Sequence, residues 1–583
     1  MTRFLSALAS ALVLILLTPG VAAAHAIIDR TEPGIDKVVE ESPKKVVMFF
    51  SEPIEVTFGG LRVVDTRGRR VDEGATQLVP GRDDAAEVAL RRDLPNGTYT
   101  VGWRVVSADG HPIEEAFVFH IGAPGKNPLG LTDEILSGDS GSGRVEGSLL
   151  GATRWLTYLA LILLAGCLVF VVGIWDRTTV PPDVSEFFER RLRRLASSAW
   201  VVALFATAWS LPLQGAVAGG LPLSDAFSVD VLGGVAETRF GAVALLRLGL
   251  LGAVAACGFI AWRKYSLAEL RTVGAAARGR QPSPAGLTLA GTLLIVLLVT
   301  PGLAGHPGAT PPVWLNIFAD GLHMMGVGVW IGGLAVLLIA ALPATGSIGD
   351  SERAQVMAPV VQRFSDLAVV AVAAIIVTGV YASWIQVGSL SALTSATYGW
   401  VLLAKLAVFV PLVALGAFNQ RYVKPRLESD GRRGGATLPM LRRVVRLEVA
   451  LALVVVGVTS FLVNLPPAKL ETGASGPFIT DTRIGDYNLN VLVDPNTIGE
   501  NQIHLTATKA SGEPARIFGM RVELSMPSEQ IGPLPVRGRR LAKGHYVIQG
   551  RQLSVEGEWR LEVFARPSRF EEVTTAIDLQ VGP

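Results

Sequence analysis

Long apolar runs dominate the middle of the chain, and short alternating runs occupy both ends. Between about Thr153 and Pro467, stretches of roughly 20 apolar residues recur, the length that a helix needs to cross a bilayer. On either side, short runs of alternating apolar and polar residues are separated by glycine, proline and asparagine, as in β-strands. The pattern predicts a multi-domain membrane protein with an exported β-sandwich, an eight-helix transmembrane bundle and a second exported β-sandwich.

The basic residues predict how the eight spans cross the membrane. The spans are about 154–175, 196–217, 241–262, 285–304, 314–342, 365–387, 399–419 and 445–464. Lysine and arginine concentrate in the connections after the first, third, fifth and seventh spans, and the intervening connections contain only Arg239. Because basic loops stay in the cytoplasm, both ends of the mature chain are predicted to lie on the extracytoplasmic side of the cell membrane.

The first 24 residues have the layout of a secretory signal peptide. An apolar run from Leu5 to Leu17 is followed by Ala22-Ala23-Ala24, a small-residue cleavage site. Cleavage after Ala24 would make His25 the N-terminal residue, whose amine and imidazole form a bidentate metal chelate. Cleavage after Ala23 satisfies the same rule and would destroy that chelate, so both alternatives stay open.

Composition limits the kinds of partner and bond that the chain is expected to form. Half of the 583 residues are hydrophobic and the formal net charge is only +2, so a lipid bilayer is expected as a partner and nucleic acid is not. Cys167 and Cys257 both lie inside apolar runs, so the exported domains are predicted to contain no disulfide.

The segment 25–122 is predicted to be a small β domain, joined by a linker at 123–150 to the membrane domain at 151–467. Its chemistry lies at Ser107-Ala108-Asp109-Gly110-His111-Pro112, where a strand ends and a turn presents Asp109 and His111. With the amine and imidazole of His25, these side chains would supply three nitrogens and one carboxylate oxygen, a set that suits Cu(II). Taken alone, an Asp-Gly-His turn is most often only solvated.

This domain resembles the CopC family of exported copper-binding proteins. The matching residues are His25-Ala26, Glu32-Pro33, Phe50-Ser51-Glu52-Pro53-Ile54, Gly97-Thr98-Tyr99-Thr100-Val101 and Ser107 to Pro112. The resemblance implies that His25, Asp109 and His111 hold Cu(II). Met48 is the domain's only methionine, so a Cu(I) site is not expected there, and His120 is expected to be structural.

Titratable groups inside the predicted spans are candidates for function because they are costly in lipid. His306 lies at the outer end of the fourth span, and Asp320, His323, Met324 and Met325 lie within the fifth. Asp320 and His323 are three residues apart and share a helix face. They could belong to a membrane copper path that takes Cu(I) or Cu(II), with the thioethers favouring Cu(I), or form a buried pair that holds helices together.

The membrane block resembles the CopD family of copper-resistance proteins, which is associated with copper uptake or handling. The matching elements are Arg154…Tyr158, Arg239-Phe240-Gly241…Arg247, His306…Asp320…His323…Trp330-Ile331-Gly332-Gly333, Phe364-Ser365, Thr378-Gly379, Tyr398-Gly399…Lys405, Leu415-Gly416-Ala417…Asn419, Pro425-Arg426-Leu427 and Arg446…Glu448…Pro466-Pro467. Lys405 and Glu448 could form an intramembrane pair or a proton path, or could serve packing alone.

The last domain, 468–583, resembles the YtkA-like domains that end some CopC–CopD fusion proteins. The match rests on Gly485…Tyr487, Asn501, Gly512…Pro514, Gly544…Tyr546 and Gly557…Trp559. His504 and His545 have no neighbouring ligand-type residue in the sequence, so both are expected to be surface or strand residues.

These features predict a copper-binding protein that imports or handles copper and is not an enzyme. The sequence leaves open a copper chaperone or a second copy of the chain as partners. The alternative hypothesis is a copper-dependent or haem-dependent membrane redox protein, in which His306 and His323 would ligate iron.

Overall fold

The computed structural model describes residues 28–122, 143–271, 284–430, 437–468 and 478–582, apart from Asp36, Asp109, Ser389, Ser391, Asn464, Pro466, Pro495, residues 510–512 and residues 569–570. Two compact units make up this chain. A helical unit spans Arg144–Gln214 and Leu223–Leu465, and a β unit contains residues 28–122, Gly215–Pro222 and 467–582. The three-part architecture predicted from the hydrophobic pattern is thereby confirmed.

The N-terminal β domain is a sandwich of two four-stranded sheets, ordered β1-β3-β6-β5 and β2-β8-β7-β4. Its strands are β1 (Ile28–Glu32), β2 (Val38–Val39), β3 (Lys45–Phe50), β4 (Ile54–Asp65), β5 (Asp72–Leu78), β6 (Ala85–Leu90), β7 (Gly97–Ser107) and β8 (Pro112–Ile121). Alternate residues of β7, among them Val101 and Trp103, enter the core between the sheets. The Trp103 ring meets Phe50 edge-on at 5.4 Å, a contact worth about 1 kcal/mol beyond its buried area.

The helical unit follows the predicted apolar runs. Its helices are α1 (Gly143–Val169), α2 (Pro182–Gly219), α3 (Val229–Glu237), α4 (Arg239–Arg271), α5 (Pro284–Leu303), α6 (His306–Ala309), α7 (Val313–Val327), α8 (Gly333–Val336), α9 (Leu342–Ala344), α10 (Asp350–Val387), α11 (Ala392–Ser395), α12 (Thr397–Phe418), α13 (Lys424–Asp430) and α14 (Thr437–Leu462). Short π-helical segments occur at Phe170–Ile174, Gly328–Gly332, Leu337–Ala341 and Asn419–Val423.

The number of long apolar helices differs slightly from the predicted eight. Within the described ranges, seven helices are long and apolar enough to cross a membrane, and the fourth predicted span corresponds to a shorter apolar helix, Thr288–Leu303. The fifth predicted span is the long segment Val313–Ser347, in which two π-helical segments interrupt the regular winding. π-Helical segments often occur at functional sites. Asp320 and His323 lie in α7, directly before the first of these two segments.

The C-terminal β domain is a second sandwich, with sheets β14-β15-β11-β10-β9 and β13-β12-β16-β17. Its strands are β9 (Phe478–Ile484), β10 (Tyr487–Asp494), β11 (Asn501–Thr508), β12 (Gly519–Met526), β13 (Ile531–Arg537), β14 (Arg539–Ala542), β15 (His545–Gly550), β16 (Gly557–Arg566) and β17 (Val573–Val581). Trp559 and Tyr546 are buried in the core between these sheets, and the Tyr546 hydroxyl donates to the Ile517 carbonyl. The likeness of this domain to YtkA-like domains stays a prediction.

Candidate metal centres

The turn between β7 and β8 places His111 at one end of the N-terminal sandwich. The Ser107 amide donates to the His111 carbonyl at 2.9 Å, and the Gly110 amide donates to the Ser107 carbonyl at 2.8 Å. Gly110 adopts a φ of 87°, which favours glycine because it has no Cβ. These bonds hold His111 in a partly buried position beside the last residue of β7, while Asp109 lies outside the described residues.

Glu52 belongs to the same site, although the sequence analysis did not name it as a ligand candidate. Its carboxylate accepts a short hydrogen bond from the Ser107 hydroxyl, and both side chains are buried. The Ala108 amide donates to the Pro53 carbonyl at 3.0 Å, so the two chain segments are fastened together. A carboxylate directly before a proline, after the apolar residues Phe49 and Phe50, was the signal that could have identified it.

The strand pairings bring the beginning of the described chain to this end of the sandwich. Ile28, the first described residue, pairs with Phe50 at the end of β3, and Ile54 at the start of β4 pairs with Ser107. Two residues separate His25 from Ile28. His25 itself lies outside the described residues, so the ligand set of His25, Asp109 and His111 stays a prediction.

The geometry of His323 fixes which of its ring nitrogens is available to a ligand. Its Nδ1 lies 2.9 Å from the Thr378 hydroxyl, which already donates its proton to the Ala374 carbonyl at 2.7 Å. A hydroxyl has only one proton to donate, so Thr378 accepts a proton from His323 Nδ1. His323 Nε2 is therefore the nitrogen that carries a lone pair, and the Thr378 bond orients the ring.

His323 lines a cavity of about 400 Å³ inside the helical unit. Met324, Trp330 and Lys405 contribute to the same wall, and most of the remaining lining is aliphatic or aromatic. Of the predicted membrane residues, His323 and Met324 are the two that this cavity brings together. A nitrogen and a thioether sulfur in an apolar space form a donor pair that suits Cu(I).

Asp320 lies one turn before His323 and faces helix α5. A methyl group placed on Gly302 would approach the Asp320 carboxylate oxygen to 2.6 Å, so the absence of a side chain at Gly302 makes room for this carboxylate. Lys405 is close enough to interact electrostatically with both Asp320 and His323. Asp320 and His323 therefore lie within the electrostatic reach of the same lysine.

The predicted membrane ligands do not lie close enough together to form one metal-binding site. His306 is buried in the short helix α6, where Arg239 donates to the Gly308 carbonyl at 2.8 Å, and Met325 packs in an apolar cluster around Leu161. Over the ranges that the structure describes, no three histidine, cysteine or carboxylate side chains are grouped as metal ligands. Copper that moved past His306, Asp320 and His323 would therefore meet these side chains one after another and not as one ligand set.

Two buried polar residues near Asp320, Arg247 and Tyr158, were not assigned to the site from the sequence. Arg247 donates to the Thr300 hydroxyl at 2.8 Å, and Tyr158 interacts electrostatically with Arg247 and Asp320. Both were visible as polar positions in apolar runs, and both are part of the CopD resemblance. They extend the polar surroundings of Asp320 toward helices α1 and α4.

Lys405 and Glu448 do not form the intramembrane pair considered from the sequence. Glu448 is buried and accepts from Asn419 Nδ2 at 2.8 Å. Lys405 lies 14 residues before Asn419 on one continuous run of helix, which corresponds to a rise of about 21 Å. The lysine and the glutamate are therefore at different heights along α12 and its extension.

Comparison with known proteins matches three parts of the chain to family models. Residues 28–122 match the CopC domain, residues 145–311 match the copper resistance protein D-like N-terminal domain, and residues 358–462 match copper resistance protein D. The chain is 25% identical over 569 residues to the copper transport protein CutJ of Bacillus subtilis (strain 168), covering 96% of this chain and 97% of that protein.

Two shorter relatives match the N-terminal domain and the membrane part. Copper resistance protein C of Escherichia coli is 34% identical over 106 residues, which cover 17% of this chain and 83% of that protein. Copper resistance protein D of Pseudomonas syringae pv. tomato is 25% identical over 335 residues, which cover 56% of this chain and 100% of that protein. These proteins correspond to successive parts of one polypeptide here.

Proposed function

Because the chain belongs to the copper resistance proteins that join a CopC domain to CopD membrane domains, we propose that it binds copper outside the cytoplasmic membrane and carries copper inward. The observation that carries the proposal is the His111 turn, tied to Glu52 at the end of the sandwich where the described chain begins. Cu(II) is the ion that a terminal amine, two imidazoles and a carboxylate would hold there.

The extracytoplasmic site depends on the processing of the N-terminus. After cleavage behind Ala24, the amine of His25 must lose its proton before it binds metal, so copper binding releases a proton near neutral pH. The structure supports the proposal because β1 starts three residues after His25, at the same end of the sandwich as the His111 turn. The absence of further methionines in this domain favours Cu(II).

Inside the membrane, the proposal gives the ligand role to His323. His323 and Met324 both line one cavity, and a hydrogen bond to Thr378 holds the His323 ring in place. The lysines and arginines that follow the first, third, fifth and seventh predicted spans favour a cytoplasmic location for those parts of the chain. Copper would then pass from the His111 turn through the bundle toward the cytoplasm.

We do not favour a redox enzyme. The relatives are named as copper transport and copper resistance proteins. His306 lies in α6 and is not among the residues that line the cavity of His323.

Copper accumulation in cells tests the transport step. Cells that express the chain are incubated with copper, and their metal content is measured by mass spectrometry. His323→Ala should reduce accumulation toward the level of cells without the protein. The matched control is Ser383→Ala, because Ser383 lines the same cavity but supplies neither nitrogen nor sulfur. Equal accumulation by the parent chain and His323→Ala would contradict transport through this cavity.

A further inference from the structure

Three of the seven histidines of the chain meet inside the β unit, away from the His111 turn. His504 Nδ1 lies 3.1 Å from His545 Nε2, and the centres of their rings are 5.3 Å apart. The His120 ring lies 6.4 Å from that of His545. All three side chains are buried. His504 and His545 were expected to be surface or strand residues, and both are strand residues.

The strand registers explain why these residues meet. His504 on β11 pairs with Leu492 on one side and Val547 on the other, so all three lie on the same face of the C-terminal sheet. His545 is two residues from Val547 and shares that face. The neighbouring residues Val491, Ile503 and Tyr546 point the other way, into the domain core. The histidines therefore belong to the outer face of the sheet.

That outer face is covered by the N-terminal β domain. Leu492 packs in the hydrophobic cluster of the N-terminal domain, and Lys37 acts electrostatically on Asp494 at the same contact. His120 lies on β8 with its side chain opposite to the core residues Phe119 and Ile121. The histidine cluster consequently sits between the two β domains, where water is largely excluded.

The cluster is distinct from the site at the His111 turn. His111 precedes β8 and His120 is its last residue but one, so nine residues of extended chain separate them, about 30 Å. A single ion cannot be shared by the two locations. Whatever the cluster binds, it does not depend on cleavage of the signal peptide.

We infer that His120, His504 and His545 form a second copper site between the β domains, in which one ion is held by imidazole nitrogens. Two metal–nitrogen bonds of about 2.0 Å at a tetrahedral angle place the nitrogens about 3.3 Å apart, close to the separation of His504 and His545. Imidazole is a good ligand for copper, and an all-imidazole site lacks the carboxylate and amine of the N-terminal one.

The ion would take the place of the hydrogen bond between His504 and His545. In the part of the chain that the structure describes, no three such side chains are already grouped around one point, so His120 must turn toward the pair. The Thr98 hydroxyl lies 3.0 Å from His120 Nδ1, so Nε2 is the nitrogen that we propose would bind the ion. Binding requires neutral imidazoles and therefore weakens as the pH falls.

The test uses the full-length protein in detergent, equilibrated with Cu(II) and then with Cu(I), followed by measurement of bound copper per chain. All variants carry His25→Ala, His111→Ala and His323→Ala, a background called the His111→Ala parent below, which removes the histidines of the proposed function from the count. We expect one further equivalent of copper in this parent and its loss in His504→Gln and His545→Gln. Lys37→Gln is the matched control, because it alters the same domain contact and leaves all imidazoles in place.

Unchanged copper content in both histidine variants would overturn the proposal. If these variants fail to fold, as seen by circular dichroism, X-ray absorption of the copper-loaded His111→Ala parent decides instead. A shell of imidazole scatterers supports the site, whereas bound copper without imidazole neighbours, or no bound copper, refutes it. Because His111 is absent throughout, failure here leaves the proposed function untouched, and failure of the N-terminal site leaves this one untouched.

Discussion

The N-terminal β domain and the helical bundle each place an aspartate and a histidine within three residues, yet they use them differently. Asp109 and His111 flank Gly110 in the sequence, and His111 lies at an end of the sandwich where β1, β3 and β4 also have their ends. Asp320 and His323 lie on a helix and meet separate partners, the carboxylate at Gly302 and the imidazole at Thr378. The turn lies where several chain segments end, whereas the helix directs its two side chains toward different neighbouring helices.

His111 and His323 also differ in their surroundings, because one lies in a turn at the end of a domain and the other on a helix. His111 is partly buried at the margin of a domain, and the segment that carries Glu52 is fastened to its turn. His323 lies in an apolar cavity, where every polar atom needs a partner because water is scarce. Its partner, Thr378, commits one ring nitrogen and leaves the other for a ligand. In the proposed function, the β site would capture copper and the bundle would pass it on.

The largest effect is expected at the capture site. His111→Ala should lower the Cu(II) affinity of the extracytoplasmic part by more than about 100-fold, because even residues behind the ligands contribute 10–100-fold. Isothermal titration of the purified protein with Cu(II) measures it, with His323→Ala as the reference variant. An unchanged affinity in His111→Ala would place the tight site elsewhere.

In the bundle, the hydroxyl of Thr378 is the group to change. Thr378→Val keeps the shape of the side chain but removes the acceptor of the His323 Nδ1 proton, so the ring loses its orientation. We expect copper accumulation to fall about 10-fold, with Thr378→Ser restoring most of it. Accumulation that is normal in the valine variant would mean that orientation of His323 does not matter.

A change at Glu52 tests how much its hydrogen bond to Ser107 supports the His111 turn. Glu52→Gln replaces a charge-assisted hydrogen bond to Ser107 by a neutral one, which is roughly half as strong. The Cu(II) affinity should fall by about 10-fold or less, while Glu87→Gln, which changes a partly buried carboxylate on β6 that pairs with Lys45, should leave it unaltered. A loss as large as that of His111→Ala would instead make Glu52 a direct ligand.

The smallest effect concerns the pH dependence of the β unit. Burial raises the pKa of Asp494 above its usual value, and Lys37 only partly opposes this. A raised folded-state pKa stabilises the fold at low pH, and that contribution is lost as the pH rises through it. Asp494→Asn should therefore gain thermal stability relative to the parent as the pH is raised from acidic to neutral. A difference that is constant across this range would contradict the assignment.

Sequence reasoning was most successful where the physical signal was local. The apolar runs identified the helical unit because membrane-length hydrophobicity is a property of consecutive residues, and the Asp-Gly-His turn was recognisable because it is contiguous. It left a pair, a proton path and a packing role open for Lys405 and Glu448, and the structure excludes the pair because α12 and its extension place the two residues far apart. Residues on one helix share a height only when they are close in sequence.

The sequence by itself therefore determined the three-part architecture, the family, and the segments that carry His111 and His323. Only the tertiary structure decided that Glu52 supports the His111 turn, that Thr378 fixes the ring of His323, and that His120, His504 and His545 meet. Each of these is a contact between segments distant in sequence, set by strand register or by helix packing. Outer-face strand residues look exposed in any alternating pattern, and it takes a second domain to bury them.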